Sequence, residues 1–372
     1  PANPAPLWSR GLGDVYKRQN KFHCYANEGN YNNKIGVPLS ISQIPKNAKF
    51  AIQEMGMSFS NEIKYLSNLT KPDISIITNI GSSHLGNFKN LSDIALAKSE
   101  IFYGMKKDGI IILPGESKHL DILRSEARNH GLKNLFFFGT DNNHDCFIVS
   151  KRNRYNIIEV TVSIMGEKLS FKINSHQNHN ILNTAAAILA SKTLGLTNKE
   201  IDQSLSVFNS VERRGKIYYL EHPSGSKVTL VDDSYNASYE STSSALKSLR
   251  NLSLSKPLLI LGDMLELGKF SAQEHKKLIP IIKNTNPRLV IFIGEAMSKL
   301  SKEINSHFDC ICFESSHKAE KEIPDMIKNN DLVLIKGSNG MNLNLITSAI
   351  INFFKKLKLN NNIHTKEQNY AV

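Results

Sequence analysis

An α/β protein with a doubly wound parallel sheet in its C-terminal half is predicted by two patterns. Apolar runs of strand length recur through that half: KVTLVDD (227–233), PLLILGD (257–263), RLVIFIG (288–294), DCICFES (309–315) and DLVLIKG (331–337). Helix-compatible segments separate them, and several end in Gly or Asp. Continuous apolar runs mark strands buried on both faces, and strand–helix repetition packs them into a Rossmann-type sheet. The second pattern lies earlier, where Asp73–Ile80 (DISIITNI) forms another such run ahead of a capped helix. The 372 residues have room for two or three domains, and 40% hydrophobic with 22% charged residues is an ordinary globular balance.

Taken in order, residues 1–19 (PANPAPLWSRGLGDVYKRQ) differ from all that follows, carrying three of the 12 prolines and the only Trp. They lack the apolar core of a signal peptide and are expected to be foreign sequence. From Lys21 the chain becomes coherent. Phe50, Ile52 and Glu54 lie on a predicted strand, with Glu54 at its carboxyl end; His84 follows the Asp73–Ile80 strand after GSS. Ligands of open α/β sheets bind outside such strand ends, so Glu54 and His84 are expected to face one crevice as potential metal ligands. Asn90 and Asp93 have the spacing of a helix-start capping pair, predicting a helix through Phe102. Lys98 then shares a face with Ile94, Ile101 and Phe102. Two explanations fit a lysine there: a snorkelling stem, or a buried neutral amine able to react with carbon dioxide.

Residues 146–173 alternate like antiparallel strands, and NHNILNTAAAILASKTLG looks like a polar loop entering a small-residue helix that ends at Gly195. Thr197 with Glu200, and Ser271 with Glu274, have capping-box spacing. Within the polar loop, His179, Asn180 and Asn183 taken in isolation read first as capping that helix and bonding its orphan amides, with ligand contact as the alternative. Glu266 and His275 read as surface charge and helix cap. The longest apolar runs fall far short of the roughly 20 residues that span a bilayer, so no transmembrane segment is predicted. Forty-six Lys and Arg against 34 Asp and Glu give +12, but they are scattered rather than striped, which argues against nucleic acid. Cys24, Cys146, Cys310 and Cys312 include no CxxC pair, as expected in a reducing compartment.

Several short segments gain meaning together. GNYNNKIGVP (29–38), EMG at Glu54, NIGSSH ending at His84, AKSEIF around Lys98, NHNILN from Asn178, DDSYNAS (232–238), GDMLELG followed by His275, and IKGSNG at Lys336 resemble the Mur ligase family. DDSYNAS is most similar to the branch that adds D-alanyl-D-alanine in peptidoglycan synthesis. The resemblance covers about residues 20–356. It implies a central ATPase domain over 20–209, a Rossmann-like C-terminal domain over 210–357 and a flexible tail over 358–372. The implied function is an ATP-dependent amide ligase that joins D-Ala-D-Ala to UDP-N-acetylmuramoyl-tripeptide through an acyl phosphate. Implied cofactors are ATP and Mg2+, the ion held by Glu54, His84 and a carbamylated Lys98. Asn79, His179, Asn180, Asn183, Arg214, Asp233, Tyr235 and Asn236 are the implied nucleotide contacts; Asn32, Asn33 and Lys336 are the implied substrate contacts. A cytoplasmic monomer without nucleic acid or membrane insertion is expected.

The chain departs from the family pattern in places. Gln177 and Asn178 replace the Gly-Arg that usually precedes HN, Arg213 replaces the Gly of the GR motif that Arg214 matches, Ser238 replaces an Asn, and Asn339 occupies the arginine position of KGSR. No GxxxxGK[ST] occurs; Gly262 to Gly268-Lys269 comes nearest, with five intervening residues and then Phe270. Such a loop cradles phosphate with backbone amides and a lysine. The chain is accordingly expected to begin partway through the catalytic domain and to be inactive as a fragment. Alternatives are another Mur-type amino-acid ligase, such as a folylpolyglutamate or cyanophycin synthetase, or a noncatalytic nucleotide-binding or interaction protein.

Overall fold

A computed structural model of the chain describes residues 24–27, 31–154, 157–173, 178–205, 212–221, 225, 227–252 and 255–368, with backbone alone for 153, 154, 178, 251 and from 357 onward. The segment 1–19, expected to be foreign, lies outside the described residues. The chain divides into two units, Pro1–Val211 and Glu212–Val372.

In the first unit, β1 (Cys24–Ala26) leads to α1 (Gly36–Ser42) and then β2 (Phe50–Ile52), which pairs in parallel with β1 as a separate two-stranded sheet. After α2 (Glu62–Thr70), β3 (Ile74–Ile76) opens a six-stranded sheet. The expected Asp73–Ile80 strand is therefore only three residues long, and the strand before Glu54 is not hydrogen-bonded to it. Helix α3 (Leu91–Ser99) starts as its capping pair predicts: Asn90 Oδ1 accepts from the Asp93 amide at 3.0 Å, and Asp93 Oδ2 from the Lys89 amide at 3.1 Å. It does not run as an α-helix to Phe102. Residues 100–104 tighten into a 3-10 turn, because the Ser67 hydroxyl takes the Ile101 carbonyl while the Gly104 amide donates to Ser67 Oγ at 3.0 Å. Gly104 permits this approach: a Cβ there would lie 2.0 Å from the Ser67 carbonyl oxygen.

Then follow β4 (Ile110–Pro114), α4 (Leu120–Asn129), β5 (Asn134–Gly139), β6 (Cys146–Arg154), β7 (Ile157–Ile164) and β8 (Glu167–Ile173), giving the order β3-β4-β5-β6-β7-β8. The β6–β8 portion is antiparallel, as its alternation predicts. Helix α5 (Asn178–Thr193) lays Ile181, Ala185, Ile188 and Leu189 into the core formed with Val160, Val162 and Phe171. Its alanines let it sit close to the strands. The last helix of the unit, α6 (Asn198–Leu205), carries the expected capping box: the Thr197 amide donates to Glu200 Oε2 at 2.9 Å and the Glu200 amide to Thr197 Oγ1 at 3.3 Å.

The second unit begins with β9 (Lys216–Glu221), antiparallel to β10 (Lys227–Asp233), and continues through α7 (Tyr239–Ser248), β11 (Leu258–Gly262), α8 (Ser271–Lys276), α9 (Ile279–Thr285) and β12 (Leu289–Ile293). It ends with α10 (Glu295–Ser298), α11 (Ser301–Ile304), β13 (Asp309–Phe313), α12 (Ser316–Met326), β14 (Leu332–Lys336) and α13 (Asn344–Gln368). The order is β13-β12-β11-β14-β10-β9, parallel except at β9. Strands β11, β12 and β14 are buried along their full lengths, which is why their sequences are unbroken apolar runs. Ile346, Ile350 and Phe354 of α13 and Ala319 and Ile323 of α12 close the core. Helix α13 continues to Gln368, into the segment expected to be a flexible tail. No helix among the described residues is long and apolar enough to cross a membrane.

Candidate active site

In the first unit several of the expected site residues lie on the loops after β1, β2 and β3. Asn27, 2% exposed, accepts the Glu54 amide on Oδ1 at 3.0 Å. Asn32 Nδ2 donates to Glu54 Oε1 at 2.8 Å, and the Gly56 amide donates to the Asn32 carbonyl at 2.7 Å. Glu54 is thus aimed by two asparagines from the preceding loop. Asn33 serves the backbone instead. Its Oδ1 accepts from the amides of Ile35 and Gly36 at 3.0 and 2.8 Å, organising the entry to α1.

Lys98, half-buried on α3, donates from Nζ to the Asn79 carbonyl at 2.7 Å. Helix and strand-end loop are thereby tied together five residues ahead of His84. His84 itself adopts a left-handed backbone (φ 64°) at the start of a 3-10 turn. That conformation is uncommon for a residue with a Cβ and recurs where a side chain must be re-aimed. Among the described residues no three His, Cys, Asp or Glu side chains gather into a metal-holding group. An ion here must draw on other oxygen donors. Glu54 and a carbamate on Lys98 are hard oxygen ligands suited to Mg2+, whereas the His84 imidazole suits it less well. The donor set fits magnesium if Lys98 is carbamylated. Helix α5 starts at Asn178, so His179, Asn180 and Asn183 lie on its first turns rather than in a loop; Asn180 is 2% exposed.

In the second unit, DDSYNAS leaves the carboxyl end of β10, GDMLELG that of β11 and KGSNG that of β14. These strands are adjacent, with β14 inserted between β10 and β11. That reversal of strand order is where α/β sheets place ligands. Asp233 and Lys336 are register partners, and their side chains pair at 2.9 Å while 6% and 3% exposed. Lys336 Nζ also donates to the Asn236 carbonyl at 2.6 Å, so the ammonium pins the DDSYNAS loop to β14. Arg214 lies 3.8 Å over the Tyr235 ring. Ser238, in place of the family's Asn, caps α7 in a box with Ser241. Asp232 is 2% exposed, and burial, reinforced by the Asp233 carboxylate, holds its carboxyl above the ordinary value against hydrogen bonds from Ser234 and the charge of Arg213.

The KGSNG and GDMLELG loops are stitched together. The Ser338 amide donates to the Asp263 carbonyl at 3.1 Å, and the Leu265 amide to Ser338 Oγ at 2.9 Å. Gly337 lets the two backbones meet, since a Cβ there would lie 3.0 Å from Gly262 Cα. The expectation of His275 as a helix cap does not hold. It is 1% exposed, accepts the Met264 amide on Nε2 at 3.0 Å and donates from Nδ1 to the Ser271 carbonyl at 2.7 Å. Accepting at Nε2 requires a neutral ring, which latches the GDM turn to α8. The Ser271–Glu274 box is also absent, because a 3-10 turn over 268–270 runs straight into α8 and Glu274 pairs with Lys277. Asn27, Ser338 and Arg213 are the site-building residues that the sequence patterns pass over; an Asn at a strand end and a non-Gly residue at a Gly position are their only signals.

Comparison with known proteins gives two family matches: the Mur ligase middle domain over residues 9–191 and the Mur ligase glutamate ligase domain over 220–339. A UDP-N-acetylmuramoyl-tripeptide--D-alanyl-D-alanine ligase of Bacillus subtilis is 32% identical over 338 residues, covering 89% of this chain and 70% of the relative. One of the same name from Buchnera aphidicola subsp. Baizongia pistaciae is 32% identical over 345 residues, covering 88% and 69%. Among solved structures, MurF from Acinetobacter baumannii superposes with a TM-score of 0.83 at 22% identity, covering 94% of this chain and 75% of that one. MurF from Thermotoga maritima in complex with ADP gives 0.81 at 23%, covering 94% and 78%. At these identities the structures speak to fold.

Proposed function

Since the chain belongs to the Mur ligase family, we propose that it carries out ATP-dependent ligation of D-alanyl-D-alanine to UDP-N-acetylmuramoyl-tripeptide. The observation that carries this is the 338-residue alignment, at 32% identity, with a relative named for that reaction. In the reaction the tripeptide carboxylate takes the terminal phosphoryl group of ATP, releasing ADP. The amine of D-Ala-D-Ala then attacks the acyl carbon, a proton leaves the nitrogen, and phosphate departs. Soluble nucleotide-linked substrates place this chemistry in the cytoplasm.

Each named residue has a role consistent with its setting. Asn27 and Asn32 hold Glu54 in one orientation, which reduces reorganisation when charge develops. Lys98, as a carbamate, joins Glu54 and His84 in holding magnesium, which supplies neutralisation of phosphate charge when bound. Asn79, His179, Asn180 and Asn183 contact the nucleotide from the first unit. In the second unit Arg214 on Tyr235 offers a cation to phosphate, and the Asp233–Lys336 pair fixes the loop that presents Tyr235 and Asn236. With Asn32 occupied by Glu54, Asn33 by the entry to α1 and Lys336 by Asp233, their contribution to substrate contact is through the loops they hold.

The assay follows phosphate release in the presence of both substrates. Because the sequence contains no GxxxxGK[ST], trace turnover is expected of this polypeptide alone, and substrate-dependent turnover once a phosphate-binding loop is fused ahead of residue 20 from a relative that carries one. In that active form Lys98→Ala should abolish most turnover with the fold intact by circular dichroism, and short carboxylic acids should restore part of it. Unchanged turnover in Lys98→Ala would reject the carbamate; release that ignores D-Ala-D-Ala would reject the proposed reaction.

A further inference from the structure

Arg213 lies in the second unit, immediately before the arginine already assigned to nucleotide. Its backbone is left-handed (φ 63°), a conformation disfavoured for a residue bearing a Cβ. The side chain explains how the conformation is held. Nη2 donates to the Ser234 carbonyl and to Asn339 Oδ1, both at 3.0 Å, and Nε lies 3.3 Å from Ser234 Oγ. The Tyr235 amide returns a bond to the Arg213 carbonyl at 2.9 Å. Every one of these side-chain acceptors is neutral. Among the described residues the guanidinium has no ion pair, and Nη1, with two N–H groups, has no partner.

The surroundings concentrate positive charge that no group among the described residues nearby fully cancels. Arg213 and Arg214 lie 5.9 and 3.8 Å from the Tyr235 ring, and the Nε of Arg214 is buried without a hydrogen bond. Asp232 faces Arg213, but its own burial disfavours its charged form, and the Asp233 carboxylate is taken by Lys336. Asn339, at the mouth of the KGSNG loop, is exposed. The two departures from the family pattern therefore meet at one hydrogen bond: a Gly position has gained an arginine, and the loop it reaches has Asn where the pattern has arginine.

We infer that Arg213 is a relocated oxyanion-binding residue: reaching from the segment before β9 to Asn339, it supplies the guanidinium that the KGSNG loop lacks and receives a carboxylate or phosphate on its free Nη1 edge. The fork suits a two-oxygen anion, and the bonds from Nη2 to Ser234 and Asn339 pre-set its plane. The inference rests on the proposed ligation for its two sources of oxyanion, the carboxylate of D-Ala-D-Ala and the phosphates of the nucleotide.

Titration calorimetry of the full chain with ADP in magnesium buffer and, separately, with D-alanyl-D-alanine tests it. Arg213→Gly is expected to weaken one probe by roughly 10- to 100-fold, the range for removing a charge-assisted hydrogen bond. The affected probe identifies the oxyanion. Adding Asn339→Arg to Arg213→Gly should recover most of the loss, while Arg213→Lys should not, because an ammonium has no fork. Melting temperature controls for folding, since Gly adopts φ 63° without strain. If the parent chain binds either probe and Arg213→Gly binds it equally well, the inference fails alone. Binding of neither probe by the parent overturns this inference alone, since the proposed ligation is tested on the form that carries a fused phosphate-binding loop. A loss that follows the melting temperature and is not recovered by Asn339→Arg would make Arg213 purely structural and overturn it.

Discussion

Lys336 illustrates how a buried charge can serve a loop. Its ammonium is 3% exposed, pairs with Asp233 at 2.9 Å and donates to the Asn236 carbonyl at 2.6 Å. Removing one member of such a pair leaves the other buried and uncompensated, so Lys336→Ala is expected to lower unfolding free energy by about 3–5 kcal/mol in urea titrations. Lys336→Met with Asp233→Asn should cost much less; equal losses would show that packing rather than charge is at stake. Asp232 behaves in the opposite sense. With its carboxyl held above the ordinary value, the folded chain binds that proton more tightly than the unfolded chain. Its contribution to stability is fullest below the unfolded value and is lost as pH rises through the folded one. Asn at 232 can still accept the Ser234 amide, now 3.2 Å from Asp232 Oδ1. Asp232→Asn is therefore expected to gain melting temperature over the parent near neutral pH and to lose that advantage near pH ~4, about the unperturbed carboxylate range. A pH-independent difference would contradict the assignment.

Elements differ in how plainly the sequence announces them, and the reason is where their partners lie. Strands β10, β11, β12 and β14 were legible as apolar runs because parallel strands inside a layered sheet bury both faces, whereas β13, at the sheet edge, buries only Phe313 and was legible from its alternating Cys310, Ile311 and Cys312 run. Strand β9 was not: it is an antiparallel edge whose Tyr219 is 48% exposed, so Lys216–Glu221 reads as mixed. Residues 110–114 and 134–139, to which the sequence patterns assign no strand, form β4 and β5. Helix starts were readable at Asn90 and Thr197, where the cap is local. The end of α3 was not, because Ser67, 34 residues away, takes the Ile101 carbonyl. Glu100 makes the same point from the other side. Its carboxylate accepts the amides of Asn61 at 2.7 Å and Lys64 at 3.2 Å, capping α2 from a distant turn. Glu100→Ala should then cost about 1–2 kcal/mol, the usual worth of a lost cap. Hydrogen exchange should locate the loss in Glu62–Thr70; uniform acceleration would argue against a local cap.

Across the whole molecule, the family was legible because its motifs are short runs at strand ends, each contributing a few residues that survive as text. The geometry that makes those motifs a site was not. Asp233 meets Lys336, Arg213 meets Asn339 and His275 meets Met264 only after the strand order β11-β14-β10 and the turn into α8 are known. Glu54 and His84 follow strands of different sheets, a pairing that the text of the two runs does not reveal: β2 pairs with β1, and β3 opens another sheet. What stands is a Mur ligase chain whose two units carry the family's loops at strand ends. The most direct measurement is mass spectrometry of the products formed from ATP, UDP-N-acetylmuramoyl-tripeptide and D-alanyl-D-alanine by the chain fused to a phosphate-binding loop. UDP-N-acetylmuramoyl-pentapeptide and ADP are expected in equal amounts, each requiring all three substrates. ADP formed without the pentapeptide, or an equally good product from a single amino acid in place of D-alanyl-D-alanine, would contradict the proposed ligation.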